Sequence, residues 1–521
     1  MGWQDDPVSE SVVEPNALRA RPLVGQWHNG RKLSHLIAHD LRGMILRGEL
    51  SEGQALPPET DLLRAFEVSR DTLREALRIL ESEALIEIRR GRRGGAVVQR
   101  PRSGSVTRYV SLLLQVRGTS VGDILEARLV LEPRAAAGVA ASSPAAVEHL
   151  WELHEAARSH VEDPLACVEA LNAFDREVIR QYGNPTIAVV SGVFRDLIAS
   201  QAYVAGLQSR GAPILLGVAE GHRAFLDAIP GGDPKELEAA WTAYLSGAAE
   251  LLADDRGDVA SAVATPVAQL HAAYGEGRGA EKLAASIAAT LRLRMAEGSL
   301  VAGDQLPALP ELAAEFGVSR PTIRECLRVL EVEGLVDLRT GSRTGARILE
   351  PTTETAAKLA SILLAGAGTR MIDVLEARQL IEPAVMGLMV TRADADAVAE
   401  LAEEVATLAR LVDDTPAFVE QIGRFERLAF AATGNTAITV ALEMIHWVNV
   451  RARHDVLVRA LTTPKLIRTN RRAAEYAAAV VAAAERGDVE GAQESWTSHF
   501  DSILPYFRAA WGEREIVDLF D

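Results

Sequence analysis

The sequence predicts a mainly α-helical protein with two winged helix-turn-helix domains, each with a small β-hairpin, and two all-α helical bundles. Three observations lead to this fold class. A long segment of the 521-residue chain occurs twice. Each copy begins with three short helical patterns and a strand-turn-strand pattern. The rest of each copy has alanine- and leucine-rich helical spacing without strand-like alternation, which is typical of a helical bundle.

The repeat is clearest around the third helical pattern. SRDTLREALRILESEALIEIRRGRRGG begins at Ser69, and SRPTIRECLRVLEVEGLVDLRTGSRTG begins 250 residues later, at Ser319. Downstream, DILEARLVLEP from Asp123 matches DVLEARQLIEP from Asp373, and farther on the offset drifts to 251 and then 255 through small loop insertions. A period this long indicates a duplicated pair of domains rather than a solenoid.

The repeat also sets the predicted domain borders. We expect a flexible tail at residues 1–31, a first winged helix at 32–102, a first helical domain at 103–258, a linker at 259–280, a second winged helix at 281–351 and a second helical domain at 352–521.

The elements of the first winged helix follow from spacing and capping. Helix one begins at Leu33, and helix two opens after Pro58 and runs through Phe66. Ser69 is the predicted N-cap of helix three, which extends to about Glu83. After it, LIEI alternates like a strand, the arginine-rich turn RRGRRGG follows, and AVV returns as a second strand.

The remainder of each copy is predicted to be an all-α bundle. In the first copy its helical patterns are expected to break at five prolines: Pro144, Pro164, Pro185, Pro213 and Pro234.

Two segments carry a family resemblance. LPPETDLLRAFEVSRDTLREALRILESEALIEIRRGRRGG resembles the DNA-binding domain of the GntR family of bacterial regulators. LEARLVLEP, with the later AEGHRAFLDAIPGGD, resembles the FadR-type effector domain of that family, called FCD. The resemblance covers nearly the whole chain, twice. It implies a ligand-responsive regulator, usually a repressor, that binds a palindromic double-stranded DNA operator as a homodimer; here both protomers would lie on one chain as a pseudo-dimer.

The candidate DNA contacts combine this resemblance with residue chemistry. Arginines in the first turns of helix three can pair bidentately with guanine in the major groove, and basic residues of the hairpin can lie against the backbone or the minor groove. In the first copy the candidates are Ser69, Arg70, Thr72, Arg74, Arg89, Arg90, Arg92, Arg93 and Gly94. In the second copy they are Ser319, Arg320, Thr322, Arg324, Arg339, Arg343 and Gly345.

The second winged helix is expected to bind DNA more weakly than the first. Its hairpin is less basic, and Leu309 stands where the first copy has Glu59. Both copies also lack an arginine that the family commonly has in the second helix, since Thr60 and Pro310 occupy that position.

The helical domains are expected to bind a small effector without a metal. Many FCD domains hold a divalent metal with one aspartate and three histidines, but those positions correspond here to Leu171, Asp175, His222 and Tyr244 in the first copy and to Ile422, Glu426, Ala477 and His499 in the second. A transition-metal site needs three or more converging ligands. The expected effector, for which a carboxylate is one candidate, would contact residues from this set: Arg128, Asp175, His222, Tyr244, Arg378, Glu426 and His499. Three alternatives stay open, namely that Arg128 and Arg378 pair with Glu132 and Glu382, that the histidines are satisfied interior residues, and that a divalent metal is bound despite the incomplete ligand set.

Bulk properties restrict the function classes. The two cysteines, Cys167 and Cys326, are too few for a disulfide framework, so a reducing cytoplasm is expected. The acidic N-terminus and the absence of a long apolar run argue against export and membrane insertion. A net charge of −17 argues against nucleic-acid binding over the whole surface, so DNA contact must come from local basic patches.

An enzyme and an architectural protein are the competing functions. Some GntR relatives carry an aminotransferase-like domain, but here the second half repeats the first, and the sequence has no phosphate-cradling glycine motif or nucleophile elbow. An enzyme is therefore not expected. An architectural or protein-interaction role with weak sequence preference stays open because of the weaker second hairpin, and operator footprinting distinguishes it from a specific regulator.

Overall fold

The computed structural model describes residues 33–83, 85–89, 95–101, 103–205, 207–253, 280–338, 346–459 and 464–520. The helices of the first unit are α1 (Leu33–Leu46), α2 (Glu59–Phe66), α3 (Arg70–Ser82), α4 (Ser103–Val116), α5 (Val121–Leu131), α6 (Pro133–Ala136), α7 (Pro144–Ser159), α8 (Pro164–Gln181), α9 (Pro185–Ala205), α10 (Leu207–Ala228) and α11 (Pro234–Ala253). Its hairpin consists of β1 (Ile86–Arg89) and β2 (Gly95–Val98).

The second unit repeats this order. Its helices are α12 (Ala280–Ala296), α13 (Leu309–Glu315), α14 (Arg320–Val332), α15 (Thr353–Gly366), α16 (Met371–Arg392), α17 (Ala395–Arg410), α18 (Thr415–Ala431), α19 (Thr436–Arg459), α20 (Pro464–Arg486) and α21 (Val489–Trp511). Its hairpin consists of β3 (Val336–Asp337) and β4 (Arg347–Ile348), and short 3-10 helices cover Ala137–Ala141, Ile229–Gly231 and Ile516–Phe520. The predicted mainly α-helical fold class, with two small antiparallel hairpins, is confirmed.

The first winged helix forms where the spacing predicts it. Ser69 caps α3, its side chain accepting a hydrogen bond from the backbone N–H of Thr72 at 3.2 Å. The antiparallel hairpin starts with Ile86 opposite Val98, and the inward sides of both strands pack with α1 and α3 in one apolar cluster. The three helices and the hairpin therefore share one core. This core fixes the orientation of α3 and so determines which end of the helix faces solvent.

The bundles are all-helical, with one correction to the predicted breaks. Pro144, Pro164, Pro185 and Pro234 each begin a helix. Pro213 does not break a helix, because it lies inside α10. Its ring removes one backbone hydrogen bond, while α10 as a whole is supported by its packing along α11.

The two bundles join through a pseudo-symmetric pair of asparagines. Asn184 caps α9 and donates from Nδ2 to the backbone carbonyl of Asp373 at 2.8 Å. Asn435, at the same place before α19, donates to the backbone carbonyl of Asp123 at 3.0 Å. Around them α5 packs on α19 and α9 packs on α16. Each unit thus offers the same surface to the other, as in a two-fold dimer.

The winged helices dock in a crossed manner. Ile362, on α15 of the second unit, belongs to the apolar cluster of the first winged helix and is 4% exposed. In turn, α12 of the second winged helix packs on α4 of the first unit, and Arg108 lies 3.6 Å from Glu333. Each winged helix therefore contacts the first bundle helix of the other unit. In the described part of the chain, no helix is both long and apolar enough to span a bilayer.

Candidate nucleic-acid interface and buried clusters

The first recognition helix exposes the residues expected to contact DNA. Ser69, Arg70 and Arg74 are exposed at the N-terminal end of α3, and Thr72 is half-buried beneath the cap. Nε of Arg74 lies 3.3 Å from Oε1 of Glu59 on α2. In the sequence Glu59 stands out only by its difference from Leu309, whereas the structure brings it next to a candidate base-reading arginine. Helices α2 and α3 together position the exposed guanidinium of Arg74.

The second recognition helix has the same cap and exposed arginines as the first, but the glutamate beside the second arginine is replaced. Ser319 caps α14 through the backbone N–H of Thr322, and Arg320 and Arg324 are exposed. Thr322 is buried. Because Leu309 replaces the glutamate, the carboxylate that pairs with Arg74 has no counterpart beside Arg324. The asymmetry in the sequence therefore changes the geometry of the reading face.

Most predicted hairpin contacts lie outside the described residues. These are Arg90, Arg92, Arg93, Gly94, Arg339, Arg343 and Gly345. The backbone of Arg89 ends β1 opposite Gly95. The described pairing covers four residues on each strand of the first hairpin and two on each strand of the second.

The two recognition helices contact each other near their C-terminal ends. Arg78 of α3 acts electrostatically on Glu331 of α14: burial raises the pKa of Glu331, and the charge of Arg78 opposes that rise. The reading residues lie at the opposite, N-terminal ends of both helices. One chain therefore presents two helix N-termini for DNA contact, which we call the reading ends. The two helices that carry them contact each other at their other ends.

The first bundle contains a buried charged cluster that consists of Arg128, Glu132, Asp175, His222 and Tyr244. Arg128 donates to both oxygens of Glu132 at 2.9 Å and to Asp175 at 2.7 Å. Tyr244 donates to Asp175 at 3.0 Å, and Nε2 of His222 lies 2.9 Å from the same carboxylate. Burial acts to raise the pKa of Asp175, but Arg128 and His222 lower it well below its ordinary value. We call this set the first buried cluster.

The second buried cluster has the same plan with different partners. It consists of Arg378, Glu382, Glu426, His446 and His499. Arg378 lies 2.5 Å from Glu382 and 2.8 Å from Glu426, and Nδ1 of His446 lies 2.9 Å from Glu426. His499 stacks on the ring of Trp496, which donates to Glu382 at 2.8 Å. Both predicted cations thus pair with the glutamate four residues later, which is one of the alternatives that the sequence left open.

Three buried polar residues near these clusters were not predicted from the sequence. Arg195 on α9 is 2% exposed, and its charge couples to Asp175 and Glu132. His154 on α7 is fully buried, and its charge couples to His222. His446 takes the place of Arg195 in the second unit when the Gly-Asn pairs before α9 and α19 are matched. Comparing the two copies position by position is the signal that could have found Arg195 and His446.

The metal-ligand positions of the family do not fit a divalent ion in this chain. Leu171 packs in an apolar cluster, and Asp175 already accepts hydrogen bonds from Arg128 and Tyr244. In the second bundle Ile422 and Ala477 are buried apolar residues. Across the described ranges, no group of three or more His, Cys, Asp or Glu side chains converges on one point.

Comparison with known proteins identifies the modules. The model of the bacterial regulatory proteins of the gntR family matches residues 33–98 and 283–345, and the FCD domain model matches residues 123–247 and 373–502. Both models thus match each half of the chain once.

The following relatives and the solved structure each match less than half of this chain. The HTH-type transcriptional repressor NanR of Enterobacter sp. (strain 638) is 29% identical over 44% of this chain and 87% of its own length. That of Salmonella schwarzengrund (strain CVM19633) is 29% identical over 47% and 89%. That of Klebsiella aerogenes is 40% identical, but the match spans only 18% of this chain and 34% of that protein. A solved Streptococcus agalactiae GntR is 21% identical, covering 44% of this chain and 99% of that one with a TM-score of 0.33. With its winged helix and its FCD domain each present twice, the chain belongs to the GntR family and is a transcriptional regulator.

Proposed function

We propose that one chain binds one double-stranded DNA operator, with each winged helix reading one half-site, and that it acts as a repressor. The observation that carries this proposal is the pair of exposed reading ends, Arg70 with Arg74 and Arg320 with Arg324, on two winged helices whose bundles join by a pseudo-two-fold contact. Family members bind a palindromic operator with two protomers. Here the two winged helices are covalently joined in one chain.

The chemistry of the reading ends supports sequence recognition. An arginine can donate two hydrogen bonds to O6 and N7 of guanine, and the N-terminus of a capped helix favours a phosphate. Ser69 and Ser319 cap the two helices in the same way. The net charge of −17 limits attraction to the DNA backbone elsewhere on the surface. Binding should therefore depend on these ends.

We further propose that a small effector regulates DNA binding through the bundles. The buried clusters hold ionisable residues at the positions predicted for effector contact: Arg128, Asp175, His222, Tyr244, Arg378, Glu426 and His499. Buried charges of this density are costly for stability alone, which favours a role in ligand binding.

Operator footprinting of the full chain tests the proposal. We expect two protected half-sites in the region upstream of the regulated gene, and we expect Arg70→Ala combined with Arg74→Ala to remove protection of one of them. The matched control is Arg64→Ala, an exposed arginine on α2 that pairs with Asp61. Protection of DNA without sequence preference, unchanged in the double variant, would instead support the architectural alternative.

A further inference from the structure

Arg195 is a buried cation whose donors are not all used. It lies on α9 and is 2% exposed, yet across the part of the chain that the structure describes, its Nε and Nη1 have no hydrogen-bond partner. Burial lowers the pKa of Arg195, which reflects how poorly the site solvates its charge. Buried guanidinium groups in proteins are normally fully paired, so the unused donors of Arg195 point to a partner beyond the described side chains.

The acidic groups near Arg195 are already engaged. Both oxygens of Glu132 accept from Arg128, and Trp241 also donates to this carboxylate. Asp175 accepts from Arg128 and from Tyr244. Both carboxylates of the first buried cluster therefore accept hydrogen bonds from other donors, and they act on Arg195 through their charge, not through a hydrogen bond to its Nε or Nη1.

His154 adds a second set of unused polar atoms. It is fully buried on α7, and neither ring nitrogen has a hydrogen-bond partner among the described residues. Burial is the main reason why its pKa is lowered, and the nearby His222 lowers it further. A neutral imidazole can donate from one nitrogen. The first bundle thus holds a cation and a neutral donor, both buried, around the same carboxylate-histidine pair.

The second bundle has lost both groups. His446 occupies the position of Arg195, and Val405 occupies that of His154. His446 lies 2.9 Å from Glu426, which Arg378 also contacts at 2.8 Å. Among the described residues, the second cluster therefore has Arg378 as its guanidinium and no second arginine at the position of Arg195.

The first cluster also lies close to solvent on one side. Tyr244, which donates to Asp175, lines a groove of about 600 Å³ between α10 and α11. Glycines form much of its wall at Gly217, Gly221 and Gly247, whereas the second copy has Arg472, Tyr476 and Ser502 at these positions. Tyr244 is therefore the member of the first buried cluster that borders this groove.

We propose that the first helical domain alone binds an anionic effector through an oxyanion group such as a carboxylate, with Arg195 as its cationic partner and His154 as a second donor, and that the second domain takes no anion. This inference rests on the proposed effector-regulated function. It requires no metal, because the guanidinium supplies both the charge and the donor geometry that an oxyanion needs.

Thermal unfolding of the full chain tests the proposal without DNA. The probes are sodium acetate, phosphate and sulfate, each compared with sodium chloride at equal ionic strength so that screening is constant. We expect at least one oxyanion to raise the unfolding midpoint of the wild type with a saturable dose dependence. Arg195→Gln should weaken the apparent affinity by about tenfold or more, while the matched variant His446→Gln should leave it unchanged.

The thermal unfolding midpoint measured without an oxyanion distinguishes a binding role of Arg195 from a structural one. Removing an unpaired buried charge should leave the midpoint of Arg195→Gln equal to the wild type or higher, whereas a structural arginine would lower it. If Arg195→Gln does not fold, Arg195→Lys keeps the charge and should retain a weakened response. The proposal is overturned if no oxyanion stabilises the wild type, if Arg195→Gln responds like the wild type, or if His446→Gln loses the response. Operator binding is measured separately, so a failure of the anion site is distinguishable from a failure of DNA recognition.

Discussion

At the scale of single residues, the pair formed by Glu59 and Arg74 distinguishes the two readers. Glu59 holds the guanidinium of Arg74 at 3.3 Å, and Leu309 gives Arg324 no such support. We expect Arg74→Ala to weaken operator binding by about 1–3 kcal/mol, and Arg324→Ala to weaken it less. Fluorescence anisotropy at one fixed salt concentration measures both losses. Equal losses would contradict the asymmetry.

The burial of His154 leads to a prediction about pH. Its pKa is lowered in the folded protein, so the folded state keeps the ring neutral while the unfolded state binds a proton below about pH 6.5. The wild type should therefore lose stability as the pH falls below that value, by up to about 1.4 kcal/mol per pH unit from this group. His154→Gln should reduce this dependence in denaturant unfolding at pH 7.5 and 5.5. His149→Gln, at an exposed histidine of the same helix, is the control variant.

At the scale of elements, local patterns predicted the fold better than the site. The cap at Ser69, the alternation of β1 and the helix-starting prolines are each set by a few neighbouring residues, and the structure contains them. Pro213 failed as a predicted break because tertiary packing along α11 overrides a local preference. Arg195 is a single charge in a helical pattern, and only the folding of α9 against distant helices shows that it is buried.

The packing of α10 against α11 depends on Gly221. A Cβ added there would lie 2.7 Å from Cδ2 of Tyr244, closer than packed atoms allow. Gly221→Ala should therefore lower the free energy of unfolding by about 1–3 kcal/mol. Gly247→Ala on α11 is the matched control: its Cβ would meet nothing within 4 Å, so the better helix propensity of alanine should stabilise the protein by up to about 1 kcal/mol. Opposite signs are expected in denaturant titration, and a loss in both variants would mean that close packing is not the cause.

At the scale of the whole molecule, crossed docking joins the two halves mechanically. The first winged helix rests on α15 of the second unit, where Ile362 enters its core and Gly366 leaves room for Pro101 and Leu46. Ile362→Ser should therefore loosen the first winged helix from a position in the other half of the chain. Hydrogen exchange should become faster at residues 33–98 and stay unchanged at residues 283–345. Val116→Ser, at the exposed residue that corresponds to Gly366, is the control; faster exchange in both winged helices would argue against a specific dock.

Covalent joining of two unequal readers also predicts how the operator is built. Since both reading ends belong to one chain, binding should saturate at one chain per operator. The half-site met by Arg74 should contribute more to the affinity than the half-site met by Arg324, which favours an imperfect palindrome. The test substitutes each half-site in turn and measures binding of the wild type, Arg74→Ala and Arg324→Ala. Each arginine variant should become insensitive to changes in one half-site only, because that contact is already lost. If both variants stay equally sensitive to both half-sites, the two winged helices do not read separate sequences.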